Sequence, residues 1–426
     1  MIESVEARRT TLFGALFQGY DGPAFAIRLW DGWHWFSSGE EKPVCTIVLR
    51  HSTIFASFIA EPNEITLGEA YIQDDIDIEG DIFSAFSIAE HILNRPRSRR
   101  QQMLEKIAGT FFGLNQWFRN GTRHSRRRDR ASISHHYDQP IEFYEPWLGN
   151  SLAYSCAYFR DGNDPLDNAQ EQKLELICQK LRLQPREQFL DIGCGWGSLI
   201  LHAASKHHVF AQGITISREQ AEVAKLRIER ARLNQSCAVE LQDYRELEKI
   251  EQSFDKVASV GMFEHVGLKN LPQYFKIVQR ILKPGGIFLN HGIARSYSSP
   301  TRKNSFIDRY VFPDGELVPL CQALEAAESQ GLEVRDVENL REHYELTLLR
   351  WVEGLRRNAE IVLRHVPELT YRVWLLYMAG SAAAFRRGDI GVYQVLLSRP
   401  DRGASYLPLT REDWYSSSSC PKKVEV

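Results

Sequence analysis

The run Leu190-Asp191-Ile192-Gly193-Cys194-Gly195-Trp196-Gly197 constrains this chain more than any other stretch. An apolar β-run that ends in an acid and three alternating glycines specifies a strand, a tight turn and a helix in that order. A turn that lets a ligand touch its backbone needs positive φ angles and no β-carbon, and only glycine supplies both cheaply. Phe189 to Ile192 reads as the strand and Ser198 to Ser205 as the helix, which therefore starts at the ligand. Spacing separates the cofactors. A dinucleotide turn is G-x-G-x-x-G, and Ser198 stands where its third glycine should be. The pattern here is D-x-G-x-G-x-G, with Asp191, Gly193 and Gly195 toward the ligand. A helix N-terminus of this kind also accepts a carboxylate, as on the methionine end of S-adenosylmethionine (SAM). SAM is the expected co-substrate.

Around this turn the pattern alternates. Val209 to Ile216, Ala238 to Gln242, Lys256 to Val260 and Ile287 to Gly292 read as further strands, with helices at Ser217 to Leu233 and Leu271 to Leu282. Alternation predicts a mainly parallel sheet with helices on both faces. Lys283-Pro284-Gly285-Gly286 stops a helix and turns into the next strand. An insertion follows from Ala294 to Leu340, then helices at Glu345 to Leu363 and Tyr371 to Phe385; Val392 to Leu397 returns as an antiparallel strand.

The first part of the chain reads differently. Ala24 to Trp30, Val44 to Leu49 and Ser52 to Ile59 are β-like runs, and Ile82 to Leu93 is helix-like, so Thr11 to Ile92 forms a small α+β unit. At 426 residues two domains are expected. They are residues 1–125, an accessory unit with a basic linker, and 126–410, the catalytic domain with insertion 294–340; 411–426 is a flexible tail.

Net charge is only −3, but Arg95 to Arg130 holds ten Arg and one Lys against Glu105 and Asp129. That is a local +9, leaving −12 on the remainder. Phe111, Phe112, Leu114, Trp117 and Phe118 are interleaved with it, a pattern that suits attachment to an anionic lipid surface. A solvated linker with a buried aromatic patch is the alternative. Nucleic acid is not expected as a partner, since the segment has no RNA-binding motif and the remainder is acidic. Seven scattered cysteines without a C-x-x-C pair point to a reduced, cytoplasmic setting and no metal. The opening MIESVEARRT lacks the apolar stretch of a secretory signal. Arg50 and His51 interrupt Val44 to Ala60, which reads as strands and not as a membrane helix.

Five further segments join the glycine turn: His136-Tyr137-Asp138, Tyr154 to Phe159 (YSCAYF), Gln242 to Arg245 (QDYR), Gly261 to Gly267 (GMFEHVG), and His343-Tyr344 leading into Thr347-Leu348. Together they resemble the cyclopropane-fatty-acid synthase family, SAM-dependent methyltransferases that act on double bonds of acyl chains. The resemblance runs from about Ser134 to Leu397, and Phe306 to Leu317 (FIDRYVFPDGEL) is similar to the family's insertion. It implies a Rossmann-like class I SAM methyltransferase with a mainly parallel doubly wound sheet. The N-terminal third resembles, through Leu67-Gly68-Glu69-Ala70-Tyr71, the accessory domain of the longer phospholipid-acting members. That implies a membrane phospholipid substrate, peripheral membrane association and a homodimer.

Alkene methylation sets its own demands. A C=C bond is a weak neutral nucleophile, so the sulfonium must be held in line and water kept out. Methyl transfer leaves a carbocation, and ring closure needs a well-placed base for one methyl proton. The family uses bound bicarbonate. The resemblance carries its holders onto the backbone at Cys156, Glu264 of M-F-E-H-V, His291 after the strand, and Tyr344 of H-Y. Glu264 would accept the bicarbonate hydroxyl proton, while a protonated His291 and the Tyr344 hydroxyl donate.

For SAM itself, the acid that usually follows the second strand is missing, and Thr215 and Gln220 of T-x-S-x-x-Q replace it with neutral hydrogen bonds. Asp243 and Tyr244 are placed for adenine, Tyr137 and Tyr154 are placed to close over the ligand, and Ser155 is a further expected SAM contact. Read alone, Cys156 is a small buried hydrophobe, His291 a satisfied core histidine, Gln220 a helix-surface residue, and His265 structural. Two alternatives stand beside ring closure: a methyl-branched or methylene product on the same fold, and a non-catalytic SAM or lipid-surface binding protein.

Overall fold

A computed structural model describes residues 2–39, 42–52, 54, 63–94, 139–299, 305–312 and 315–415. The basic segment Arg95 to Arg130 and Tyr137 lie outside these residues. The chain divides into two compact units: Met1–Thr122, Thr301–Pro313 and Ala359–Ala383 form one, and Arg123–Pro300, Asp314–Asn358 and Ala384–Val426 form the other. Part of the insertion and most of the second late helix thus group with the N-terminal unit, where a continuous catalytic segment was expected.

In the first unit a four-stranded sheet has the order β2-β1-β3-β4, from β1 (Phe25–Arg28), β2 (His34–Phe36), β3 (Cys45–Leu49) and β4 (Ile76–Gly80). Phe13, Phe17, Phe25, Ile27, Ile47, Leu49 and Ile88 form its core. The helix Ile82–Leu93 starts where Asp81 accepts from the Phe83 and Ser84 N–H groups, which satisfies donors that a helix end leaves open. Ser52 and Ile54 are helical, so the expected strand Ser52 to Ile59 does not form at its described positions. β-branching is a weak preference that packing overrides.

The Leu67 to Tyr71 motif has a packing reason. A Cβ on Gly68 would lie 2.5 Å from the Phe306 ring, and Glu69 accepts from the Arg309 guanidinium at 2.7 Å and the Tyr310 hydroxyl at 2.8 Å. Two motifs far apart in sequence make one joint. Arg372 adds a second: buried over the Tyr71 ring, it donates to the Tyr71 carbonyl at 2.7 Å and the Ile76 carbonyl at 3.0 Å.

The second unit holds a seven-stranded sheet of order β10-β11-β9-β8-β5-β6-β7. Its strands are β5 (Gln188–Ile192), β6 (Phe210–Thr215), β7 (Cys237–Leu241), β8 (Phe254–Val260), β9 (Leu282–Arg295), β10 (Glu333–Asn339) and β11 (Ile390–Ser398). β5 to β9 are mutually parallel, while β11 runs antiparallel to both β9 and β10. Strand residues alternate between two cores, because successive side chains leave opposite faces. Phe189, Leu289 and Leu396 pack with helices Leu166–Leu181, Ser198–His207 and Arg218–Arg230. Leu190, Phe288 and Val395 pack with helices Leu271–Ile281 and Leu320–Glu328. The expected mainly parallel, doubly wound sheet is present. Its parallel strands point their carboxyl ends at one rim, where open α/β sheets bind ligands.

Residues 411–415, expected to belong to a flexible tail, are structured. Residues Glu412–Trp414 form a short turn with Trp414 buried, and Arg182 pairs with Asp413 at 2.7 Å. Lys180 and Arg182 lie over the Trp414 ring at 5.6 and 5.1 Å. Among the described residues no helix is long and apolar enough to cross a membrane.

Candidate active site

Gly193, Gly195 and Gly197 all take positive φ, at 83°, 54° and 83°. A Cβ on Gly193 would come within 3.0 Å of Met262, whereas one on Gly195 would meet no protein atom within 4 Å. Gly195 therefore faces open cavity. The cavity at the strand ends is lined by Tyr154, Ser155, Asp191, Gly193, Gly195, Thr215, Gln220, Asp243 and Tyr244, nine of the ten expected SAM contacts. Tyr137 is the tenth and lies outside the described residues.

Asp191 is buried and its Oδ1 has no partner. Burial lifts its carboxyl to about 7, with the nearby Lys173 opposing the rise. Lys173, on the helix Leu166–Leu181, lines the same cavity and donates to Ser155 Oγ at 2.9 Å. Burial lowers its ammonium to about 8.

The T-x-S-x-x-Q segment builds a helix start and a cavity wall together. Thr215 Oγ1 donates to Gln220 Oε1 at 2.8 Å, and Ser217 Oγ caps the Gln220 N–H. Gln220 is buried, which removes its reading as a helix-surface residue. Asp243 is more committed than expected: its carboxylate accepts from both the backbone N–H and the guanidinium of Arg245 at 2.6 to 2.9 Å. Tyr154 packs against Trp351 and Trp147, and Tyr244 against Tyr274.

The four expected anion-site residues fall into two pairs. Glu264 sits in a short turn after β8, between the cavity-lining Met262 and His265. Its Oε1 accepts from the Ile293 N–H at 2.7 Å, and its Oε2 is buried without a partner. Burial raises this carboxyl to about 7. His291, two residues before Ile293 on β9, has its Nδ1 3.1 Å from Gln394 Nε2 and a buried, unpartnered Nε2. Ile293 pairs with Val392, whose carbonyl accepts from the Leu340 N–H at 2.8 Å. The Leu340 carbonyl in turn takes the Cys156 thiol at 3.8 Å and the Tyr344 N–H at 3.1 Å. These contacts join Glu264 to the strand that carries His291, and Cys156 to Tyr344 through the Leu340 carbonyl.

Two expectations change here. Burial, with Lys173 and Lys180 nearby, lowers the His291 imidazole to about 3, which favours a neutral donor over the protonated ring expected. The sequence could not show that desolvation. His265, read as a structural neighbour of Glu264, also lines the cavity. Lys173 was missed outright, and Arg245 was quoted only as part of the QDYR segment, with no role. Lys173 carried a signal, for it lies on the same buried helix face as Ala169, Leu174 and Ile177, where an unpaired ammonium is costly.

Comparison with known proteins identifies the family. Residues 124–395 match the family described as mycolic acid cyclopropane synthetase. The chain belongs to that family. Residues 12–95 match a domain of unknown function. A probable fatty acid methyltransferase of Pseudomonas putida is 38% identical over 91% of this chain and 95% of its own. The cyclopropane-fatty-acyl-phospholipid synthase of Escherichia coli (strain K12) is 38% identical over 81% of this chain and 86% of its own. The crystal structure of mycolic acid cyclopropane synthase CmaA1, complexed with SAH and CTAB, aligns with a TM-score of 0.59 at 30% identity, covering 63% of this chain and 97% of that one. This family member is a SAM-dependent methyltransferase with the fold expected of one.

Proposed function

We propose that this enzyme transfers a methyl group from SAM to a cis double bond in a phospholipid acyl chain and closes a cyclopropane ring. The observation that carries the reading is the pair of buried, unpartnered atoms beside the SAM cavity, Glu264 Oε2 and His291 Nε2. Leaving such atoms unpaired costs about 1–3 kcal/mol each, so a native protein keeps them for a ligand. One is an acceptor and the other a donor, the complement that a small hydroxylated anion needs.

Glu264, His291, Tyr344 and the backbone at Cys156 fit bicarbonate, which when bound would supply the base for the methyl proton. Glu264, most strongly when ionised, would accept the hydroxyl proton, while His291 would donate from Nε2. Asp191, Thr215 and Gln220 orient SAM; Gly193 and Gly195 let it approach the backbone. Asp243, held by Arg245, and Tyr244 frame the adenine end, and Tyr154, Ser155 and Tyr137 close the site.

The P. putida relative is described only as a probable fatty acid methyltransferase, a wording that also covers a second reading, a methyl-branched or methylene acyl product without ring closure. Phospholipid as substrate is supported by the E. coli relative's description. A cytoplasmic homodimer docked on the membrane surface through Arg95 to Arg130 belongs to the same proposal.

Bicarbonate gives the direct test. Turnover of purified protein on unsaturated phospholipid vesicles in carbonate-free buffer should be low and recover on adding bicarbonate. Full turnover without it removes the anion site from the account.

A further inference from the structure

One transverse row of the second unit's sheet carries Glu338 on β10, Gln394 on β11 and His291 on β9 as directly opposed residues. Opposed residues on antiparallel neighbours project to the same face. Lys180, from the helix Leu166–Leu181, reaches that row, where its ammonium pairs with Glu338 and donates to Gln394 Oε1 at 2.7 Å. Gln394 Nε2 then lies 3.1 Å from His291 Nδ1. Lys180, Gln394 and His291 are each 1% exposed, so water does not compete for these bonds.

The chemistry of the row allows one arrangement. An ammonium only donates, so the amide oxygen of Gln394 must face Lys180 and its NH2 must face the imidazole. Nδ1 is then an acceptor, and the single proton of a neutral ring sits on Nε2. That nitrogen is the one left without a partner.

We propose that Gln394 and Lys180 are positioning residues that lock His291 in its Nε2–H tautomer and so keep a neutral donor aimed at the anion site. The Trp414 ring over Lys180 and the Glu338 carboxylate complete the clamp. This explains why a lysine and a glutamine are buried on a helix and strand that otherwise face a core. It rests on the role proposed above for His291.

The test pairs nitrogen-15 NMR of histidine-labelled full chain with turnover. Wild type should show His291 protonated at Nε2 and bare at Nδ1. Gln394→Glu keeps the shape and still pairs with Lys180, but presents an acceptor to Nδ1 and should move the proton there. Methyl transfer should then fall by about tenfold or more, with KM for SAM unchanged. Lys180→Met frees the amide to rotate and should give a mixture of tautomers. A wild-type proton on Nδ1, or no tautomer change in Gln394→Glu, overturns the inference. An inverted tautomer with full turnover overturns instead the role of His291 as a donor, and with it the purpose of the clamp.

Discussion

Glu264→Gln is expected to lower kcat at least about 100-fold, the order seen when a positioned acid–base group is lost, and to leave KM for SAM little changed. Glutamine keeps the side-chain shape and can still accept from the Ile293 N–H through its oxygen. It replaces the buried Oε2 with an NH2 that donates and cannot take a hydroxyl proton. The wild-type pH profile supplies the second half of the prediction. Burial lifts the Glu264 carboxyl to about 7, and the ionised form is the stronger acceptor, so kcat should climb as pH rises through that region. The variant should lose that inflection. Steady-state rates on lipid vesicles between pH 6 and pH 9 (roughly one to two units either side of the shifted value) measure both. Unchanged kcat with an unchanged profile would detach Glu264 from the chemistry. It would also favour a protein that binds SAM or lipid without catalysis.

Gly195→Val should abolish usable SAM affinity. The residue holds φ at +54°, a conformation that costs an L-residue about 1–2 kcal/mol and a β-branched one more. The substituted turn relaxes away from its cavity-facing shape, and SAM must restore that shape to bind. Strain alone predicts roughly a tenfold loss or more. The added side chain also enters space that no protein atom occupies within 4 Å of a Cβ, where the ligand must pass. Calorimetric titration with SAM reads the loss, and an unchanged melting temperature without SAM shows the fold intact. Wild-type affinity in a folded variant would mean that SAM lies elsewhere.

What could be read in advance was local. The glycine turn and the T-x-S-x-x-Q cap work within a few residues of themselves, so spacing alone revealed them. Glu264 was visible because an acid just past a β-run of a parallel sheet falls at a ligand-binding rim. The rest depends on register between distant segments. Gln394 is an ordinary strand residue until β11 pairs with β9 and sets it opposite His291, and Lys180 matters only once its helix crosses that row. The proton on His291 depends on burial and on Lys173 and Lys180, none of which a linear pattern conveys. The split of Thr301–Pro313 and Ala359–Ala383 into the first unit was hidden likewise. Phe306 over Gly68 and Arg372 over Tyr71 are among the contacts that join these segments to it.

The central claim, methyl transfer to an acyl double bond with ring closure, is tested most directly by the mass spectrum of membrane phospholipids from cells expressing this chain. Acyl chains that gain one CH2 and lose their alkene, absent when Glu264→Gln is expressed instead, are the predicted result. A retained or exocyclic alkene in the heavier chains, or lipids that do not change at all, would contradict it.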